Sequence, residues 1–418
     1  QPIDPDQNGG ELGMSEDCLY LSVETPAKSK NDKLPVFVMI HGGAFLTGSY
    51  SGTQESFVKE GIIYCSIEYR LGALGFMAHP ELSKESGKNI SGNYGILDQV
   101  MALKWIHDNI AAFGGDPDKI TIAGESAGGI SVSILCASPL AKGLFRGAIS
   151  ESGNTAMLTT KAAEAGGLLL QKRLKAKNLK QLRKVPAMDI VKNTAFESFW
   201  PNVDGYSITD DQYKLYEKGS YNDVNVIIGT NSDEGSMFSR PVSVSDYERR
   251  IHEIYGSWAD QVLSLYPAKT EEDTYFAQSD IFRDGSFAWG TYAWANLQSK
   301  TGKGKVYMYY FDQDSENTIV KSRKGGASHV AEMPFIYGYK FGSGKMTETE
   351  QHMEQIMSRY WINFTKTGNP NGDSLPFWTT YQEGKPTVMI MKEGLHLGPV
   401  QNQKQMDFFE KFFKEKRK

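Results

Sequence analysis

Lys119-Ile120-Thr121-Ile122-Ala123-Gly124-Glu125-Ser126-Ala127-Gly128-Gly129-Ile130-Ser131-Val132-Ser133-Ile134-Leu135 reads as a buried strand, a turn bracketed by glycines and the small-residue start of an apolar helix. The strand half is rich in β-branched residues, and Gly124 and Gly128 allow a turn too tight for side chains. A serine lifted at the tip of such a turn presents its Oγ to a substrate, and the N–H of the next residue, Ala127, points toward a developing oxyanion. A Gly-x-Ser-x-Gly pentad alone can be a glycine turn without chemistry. The strand-turn-helix setting makes Ser126 a candidate nucleophile.

Upstream, Val36-Phe37-Val38-Met39-Ile40 runs into His41-Gly42-Gly43-Ala44-Phe45, where small residues leave backbone N–H groups uncovered at a strand end. Acyl transfer needs donors aimed in advance at the tetrahedral oxyanion, and Gly43, Ala44 and Ala127 are the candidates, His41 being structural. Strand-length apolar runs recur at Pro35–Ile40, Ile62–Ile67, Lys119–Ala123, Gly147–Ser150, Val224–Thr230 and Val306–Phe311. With helix-like stretches between them, they predict an α/β fold with a largely parallel sheet. Gly95–Ile106 has the three- and four-residue apolar spacing of a helix packed on that sheet, stopped at Phe113-Gly114-Gly115-Asp116-Pro117. Thr155–Phe199, rich in Lys, Leu and Ala, reads as inserted helices of the kind that roof a site. Phe408–Phe413 reads as a terminal helix docking its aromatic face. No repeat or linker divides the chain, so residues 1–418 are read as one domain.

The 418 residues, 40% hydrophobic, suffice for a large core. A net charge of -5 from intermixed basic and acidic residues leaves no basic stripe for nucleic acid, and no apolar run approaches the ~20 residues of a membrane helix. Cys18, Cys65 and Cys136 are too scattered for a disulfide scaffold or zinc site, and no metal or other cofactor is expected. Gln1 opens a polar stretch without the pattern of a signal peptide. Compartment and oligomeric state stay open.

In this arrangement the catalytic residues follow in the order serine, acid, histidine. His41, His79 and His107 precede Ser126, while His252 and His352 sit in charged, helix-like stretches. His329, in the small-residue loop Gly325-Gly326-Ala327-Ser328-His329 beyond a strand, is favoured over His396 near the end. For the acid, Val224–Thr230 delivers Asn231-Ser232-Asp233-Glu234-Gly235, and Asp204 is a weaker candidate that reads as a turn aspartate. Residue chemistry leaves Asp233 and Glu234 level, since either carboxylate can orient an imidazole.

The chain resembles the type-B carboxylesterase family, which includes cholinesterases, mammalian liver carboxylesterases and bacterial para-nitrobenzyl esterases. Ser15-Glu16-Asp17-Cys18-Leu19-Tyr20-Leu21 is similar to that family's N-terminal signature, and Phe113-Gly114-Gly115-Asp116-Pro117 through Gly124-Glu125-Ser126-Ala127-Gly128-Gly129 to its serine signature. The resemblance implies the α/β-hydrolase fold and an ester hydrolase acting on a small-molecule ester. It places the acid at the glutamate of Asp-Glu-Gly, Glu234, and the histidine in Gly326-Ala327-Ser328-His329-Val330-Ala331-Glu332. It also implies a three-donor oxyanion hole of Gly43, Ala44 and Ala127, support of the histidine and acid by Ser152, Glu125 beside the nucleophile, and an acyl pocket at Phe199 and Trp200, where core packing is the plain alternative. Family members carry a longer stretch before the Cys18 signature, often with a cysteine that pairs with its counterpart. Cys18 is therefore expected as a free thiol unless it meets Cys65 or Cys136, and the chain as trimmed or from a shortened relative. The rival readings are a lipase or feruloyl esterase on the same machinery, and a silent adhesion-type relative.

Overall fold

The computed structural model describes residues 15–49, 54–155, 157–194, 199–341 and 345–417. The opening polar stretch at Gln1 and residues 195–198 of the expected helical insertion lie outside them. Eleven strands are described: β1 (Leu21–Glu24), β2 (Leu34–Ile40), β3 (Ile63–Ile67), β4 (Gly115–Glu125), β5 (Gly147–Glu151), β6 (Leu158–Thr159), β7 (Asn202–Val203), β8 (Asn225–Asn231), β9 (Val306–Phe311), β10 (Val388–Met391) and β11 (His396–Gly398). Nine of them form one sheet in the order β1-β3-β2-β4-β5-β8-β9-β10-β11, while β6 and β7 make a separate ribbon. Only the outer pairs, β1 with β3 and β11 with β10, run antiparallel. The α/β-hydrolase architecture expected from the sequence is the one observed.

The continuous apolar strands follow from burial on both faces, as in any parallel sheet covered by helices. Along β2, Val36, Val38 and Ile40 enter one core cluster and Phe37 and Met39 the other. The helix Tyr94–Asn109 lays Ile96, Gln99, Leu103 and Ile106 on the first face and gives way to a 3-10 turn that ends at Gly114, φ 84. On the same side the terminal helix Gln403–Lys416 buries Phe408, Phe409 and Phe412. The helix Glu348–Thr367 covers the second face with Tyr360, Trp361 and Phe364. Because the inner strands are parallel, the carboxyl ends of β2, β4, β5 and β8 open on one rim, where such folds place their ligands. No helix among the described residues is long and apolar enough to cross a membrane.

Candidate active site

β4 ends at Glu125 and the helix Ala127–Ala137 starts two residues later, so Ser126 alone makes the turn, at φ 56 and ψ -122. A residue with a Cβ is strained there and persists only when its surroundings hold it. Here the N–H of Ser126 donates to the carbonyl of Glu151 on β5 at 2.9 Å. Gly128 seats the helix so close to β2 that a Cβ on it would lie 2.1 Å from the carbonyl oxygen of Ile40. Every residue of the helix Ala127–Ala137 is buried, which fixes the direction in which the turn projects.

His329 comes from the segment beyond β9. That segment is pinned to the loop after β8 by the N–H of Asp233 donating to the carbonyl of Ala327 at 2.8 Å. The imidazole Nδ1 lies 2.6 Å from Oε2 of Glu234, and Nε2 lies 2.9 Å from Oγ of Ser126. A carboxylate can only accept, so Nδ1 carries the hydrogen, and in the neutral ring Nε2 offers its lone pair to the serine hydroxyl. Glu234 is wholly buried and accepts from Oγ of Ser152 at 2.6 Å and from the N–H of Asn231 at 2.7 Å. Asp233 faces away, accepting from Oγ of Ser279 at 2.7 Å and of Ser322 at 2.5 Å. The two adjacent acids thus part: one meets the imidazole and the other ties the loops together.

Phe287 stacks on the imidazole at 5.1 Å between ring centres and Phe238 meets it edge-on at 5.5 Å, so the ring is buried. Burial pulls the imidazole pKa down, but the facing Glu125 and Glu234 and the bond to Glu234 hold it raised to about 9. Oε1 of Glu125 lies 3.3 Å from Nε2 of His329 and accepts no hydrogen bond. Burial pushes the Glu125 carboxyl well up, and the facing imidazole opposes that rise. Glu125 and Glu234 both favour the imidazolium, and Glu234 alone bonds Nδ1.

On the other side of Ser126, a turn closed by the N–H groups of Leu46 and Thr47 on the Gly43 carbonyl, both at 3.0 Å, carries Gly43 and Ala44 at positive φ. Only glycine fits at Gly43, where φ is 101 and a Cβ would come within 2.4 Å of the Thr47 carbonyl oxygen. Among the described residues the N–H groups of Gly43, Ala44 and Ala127 make no backbone bond. Ala44 and Ser126 line one cavity of about 330 Å³, walled by Met157, Leu158, Trp200, Phe238, Phe282 and Phe287, with no charged side chain on its lining.

Trp200 sits in that wall. Phe199 does not: it is 2% exposed and packs into the first core cluster. Ser152 supports the acid and reaches the histidine only through it. The helices Thr160–Arg173, Leu179–Leu182 and Ala187–Lys192 of the expected roof do not reach this lining, and among the described residues of that insertion only Met157 and Leu158, at its start, do. His41 stacks on Tyr69 and bonds the Gly42 carbonyl through Nδ1, Asp204 closes a turn on the N–H groups of Tyr206 and Ile208, and His396 lies exposed on the edge strand β11. The three cysteines are free and buried, and burial pushes the Cys65 thiol up to about 12.

The sequence reading gave no role to Glu332 or Glu151, two further buried carboxyls. Glu332 accepts from the side-chain amide of Asn231, and burial, with Glu234 facing it, pushes its pKa up to about 7. Its signal was available, because it closes the Gly-x-x-His-x-x-Glu stretch.

The family model described as Carboxylesterase family matches residues 1–409. The para-nitrobenzyl esterase of Bacillus subtilis (strain 168) is 34% identical over 409 residues, 91% of this chain and 80% of its own length. The cocaine esterase of Homo sapiens is 33% identical over 414 residues, covering 90% of this chain and 72% of that one. A solved PNB esterase superposes with a TM-score of 0.83 at 31% identity, over 98% of this chain and 88% of its own. With a matching fold and family spanning nearly the whole chain, this protein belongs to the carboxylesterase family and is a carboxylic-ester hydrolase.

Proposed function

We propose that the chain cleaves short- to medium-chain or aryl esters through an acyl-enzyme, with Ser126 as nucleophile, His329 as general base and acid, and Glu234 orienting the imidazole. The observation that carries this reading is the unbroken relay from Glu234 through His329 to Ser126, with contacts of 2.6 and 2.9 Å. Oγ bonds to the ester carbonyl carbon as its proton passes to Nε2, and the carbonyl electron pair moves to oxygen, received by the N–H groups of Gly43, Ala44 and Ala127. The intermediate collapses, and the leaving alkoxy group takes the proton from Nε2. Water then repeats the sequence on the acyl-enzyme and releases the acid. We read the unit that does this as a single domain, since one sheet supplies Ser126, Ser152 and Glu234 from neighbouring strand ends.

The substrate range rests on the cavity. Its volume of about 330 Å³ lies near the lower end of small-molecule pockets, and its uncharged aromatic wall favours a neutral ester of modest size. A panel of p-nitrophenyl esters from acetate to palmitate, with methyl ferulate beside it, tests this. The expected profile peaks at short or medium chains or on the aryl ester. A maximum at palmitate overturns the chain-length reading while leaving the relay in place.

A further inference from the structure

Below the relay lies a side chain that this chemistry does not use. Glu151 ends β5, is wholly buried, and its backbone carbonyl receives the N–H of Ser126 at 2.9 Å. Its Oε1 accepts two hydrogen bonds, from the Tyr337 hydroxyl at 2.8 Å and from Nε1–H of Trp361 at 2.6 Å. Its Oε2 has no partner among the described residues. Tyr337 ends the short helix Met333–Tyr337, which opens directly after Glu332 and so belongs to the segment that carries His329. Trp361 lies on the helix Glu348–Thr367 behind it.

We propose that Glu151 is a positioning residue for ester hydrolysis: by gripping Tyr337 and Trp361 it keeps the His329 segment in register with the nucleophile turn. This rests on the triad reading given above. The argument is the closed circuit to which Glu151 belongs. Its neighbour Ser152 donates to Glu234, Glu234 holds His329, and the chain from His329 leads through Glu332 and the short helix to Tyr337 and back to Glu151. Asn231 braces the circuit, its N–H on Glu234 and its side-chain amide on the Ser328 carbonyl and on Glu332. If one link slackens, the contact between Nε2 and Oγ absorbs the error, and a misplacement of about 1 Å costs roughly 100-fold in rate.

The chemistry of the side chain sharpens the test. Glu332, Glu125, Tyr337 and Tyr309 are the titratable groups that face it. Burial, with Glu332 next, pushes its carboxyl well up against the opposing bonds from Tyr337 and Trp361. Both bonds fall on Oε1 alone, and the amide oxygen of a glutamine can accept the same two. Glu151→Gln therefore preserves the grip, whereas Glu151→Leu leaves two buried donors unpaired.

The experiment measures kcat and KM of the full chain and its variants on p-nitrophenyl butyrate, with active sites counted by burst titration and folding followed by Tm. Glu151→Gln is expected to stay within about threefold of the parent in kcat per site, with the same pH profile. Glu151→Leu should lose about 10- to 100-fold in kcat per site at unchanged KM, and Tyr337→Phe should lose less in the same direction. If Glu151→Leu does not fold, the other two variants decide, because parental kcat per site in Tyr337→Phe overturns the proposal. So does a Glu151→Gln as impaired as Glu151→Leu, or a loss seen only in Tm and site count. A failure of the triad reading is distinguishable, since it would appear as activity retained in Ser126→Ala.

Discussion

Around Ser126 the backbone fixes the geometry: a strained turn, glycines that admit no Cβ, and an N–H held by the next strand. Across the cavity, Trp200 and Phe238 reach inward from separate loops and Phe282 and Phe287 from one continuous helical stretch. The nucleophile turn and the donor loop are thus backbone-coded and rest on strand ends, while the pocket wall is drawn from pieces distant in the chain. Substitutions on the two sides should differ in kind. On the floor they should remove the reaction, and on the roof they should retune which esters react.

The largest effect is expected at Ser126→Ala, which should lower kcat by about 10⁶-fold with the fold intact by circular dichroism. Next comes the acid. Glu234→Gln removes the charge opposite the imidazolium and favours the wrong tautomer, for a loss of about 10⁴ in kcat. Asp233→Asn, at a residue that ties loops through Ser279 and Ser322, should cost little in kcat per site and show itself in Tm. A severe kinetic loss at Asp233 beside a nearly active Glu234→Gln would reverse the two roles.

On the roof, Trp200→Ala should change the ratio of kcat/KM between butyrate and longer esters by about 10-fold, the scale at which an apolar pocket discriminates. Its neighbour is the control: Phe199→Ala should leave that ratio alone and cost about 3–5 kcal/mol of stability in a urea titration, as core truncations do. A Phe199 variant that altered chain-length preference at parental stability would erase the line drawn here between wall and core.

The smallest effect is one of position on the pH axis. The base must be neutral to accept the serine proton, so kcat/KM should rise with pH through one ionisation and level off above it. Because the carboxylates hold the imidazole pKa up toward about 9, that rise should fall above the ordinary value of about 6.5. In Glu234→Gln the residual activity should rise at lower pH, since one of the groups favouring the protonated ring is gone. A rise already complete at mildly acidic pH in the parent would contradict the raised value.

The inner strands were legible because parallel strands buried on both faces must be continuously apolar, and β9 matches its expected Val306–Phe311 residue for residue. β1 escaped notice because Leu21-Ser22-Val23-Glu24 alternates at a half-exposed edge, and β10 because Val388–Met391 is only four residues long. Ser126 and the Gly43 loop announced themselves through glycines that special backbone requires. Asp233 and Glu234 stayed level because which of two adjacent carboxylates turns inward depends on Ser279, Ser322 and Ser152, none of them a sequence neighbour. Phe282 directly precedes the π-helical stretch Arg283–Ala288 and Phe287 lies within it, and because no local spacing reveals that register, the wall they form could not be read. Glu151 looked like the polar end of a strand, and only the distant Tyr337 and Trp361 give it a task.

The central claim is that the ester's acyl group passes through Ser126. The most direct test mixes the protein with excess p-nitrophenyl acetate, follows p-nitrophenol release on the stopped-flow timescale, quenches in acid and maps the acyl adduct by peptide mass spectrometry. The account predicts a burst of one p-nitrophenol per active site when deacylation is the slow step, with the acetyl group on Ser126 and no adduct in Ser126→Ala. An acetyl group found on another residue of a fully active protein, or an adduct that persists in Ser126→Ala together with turnover, would contradict it.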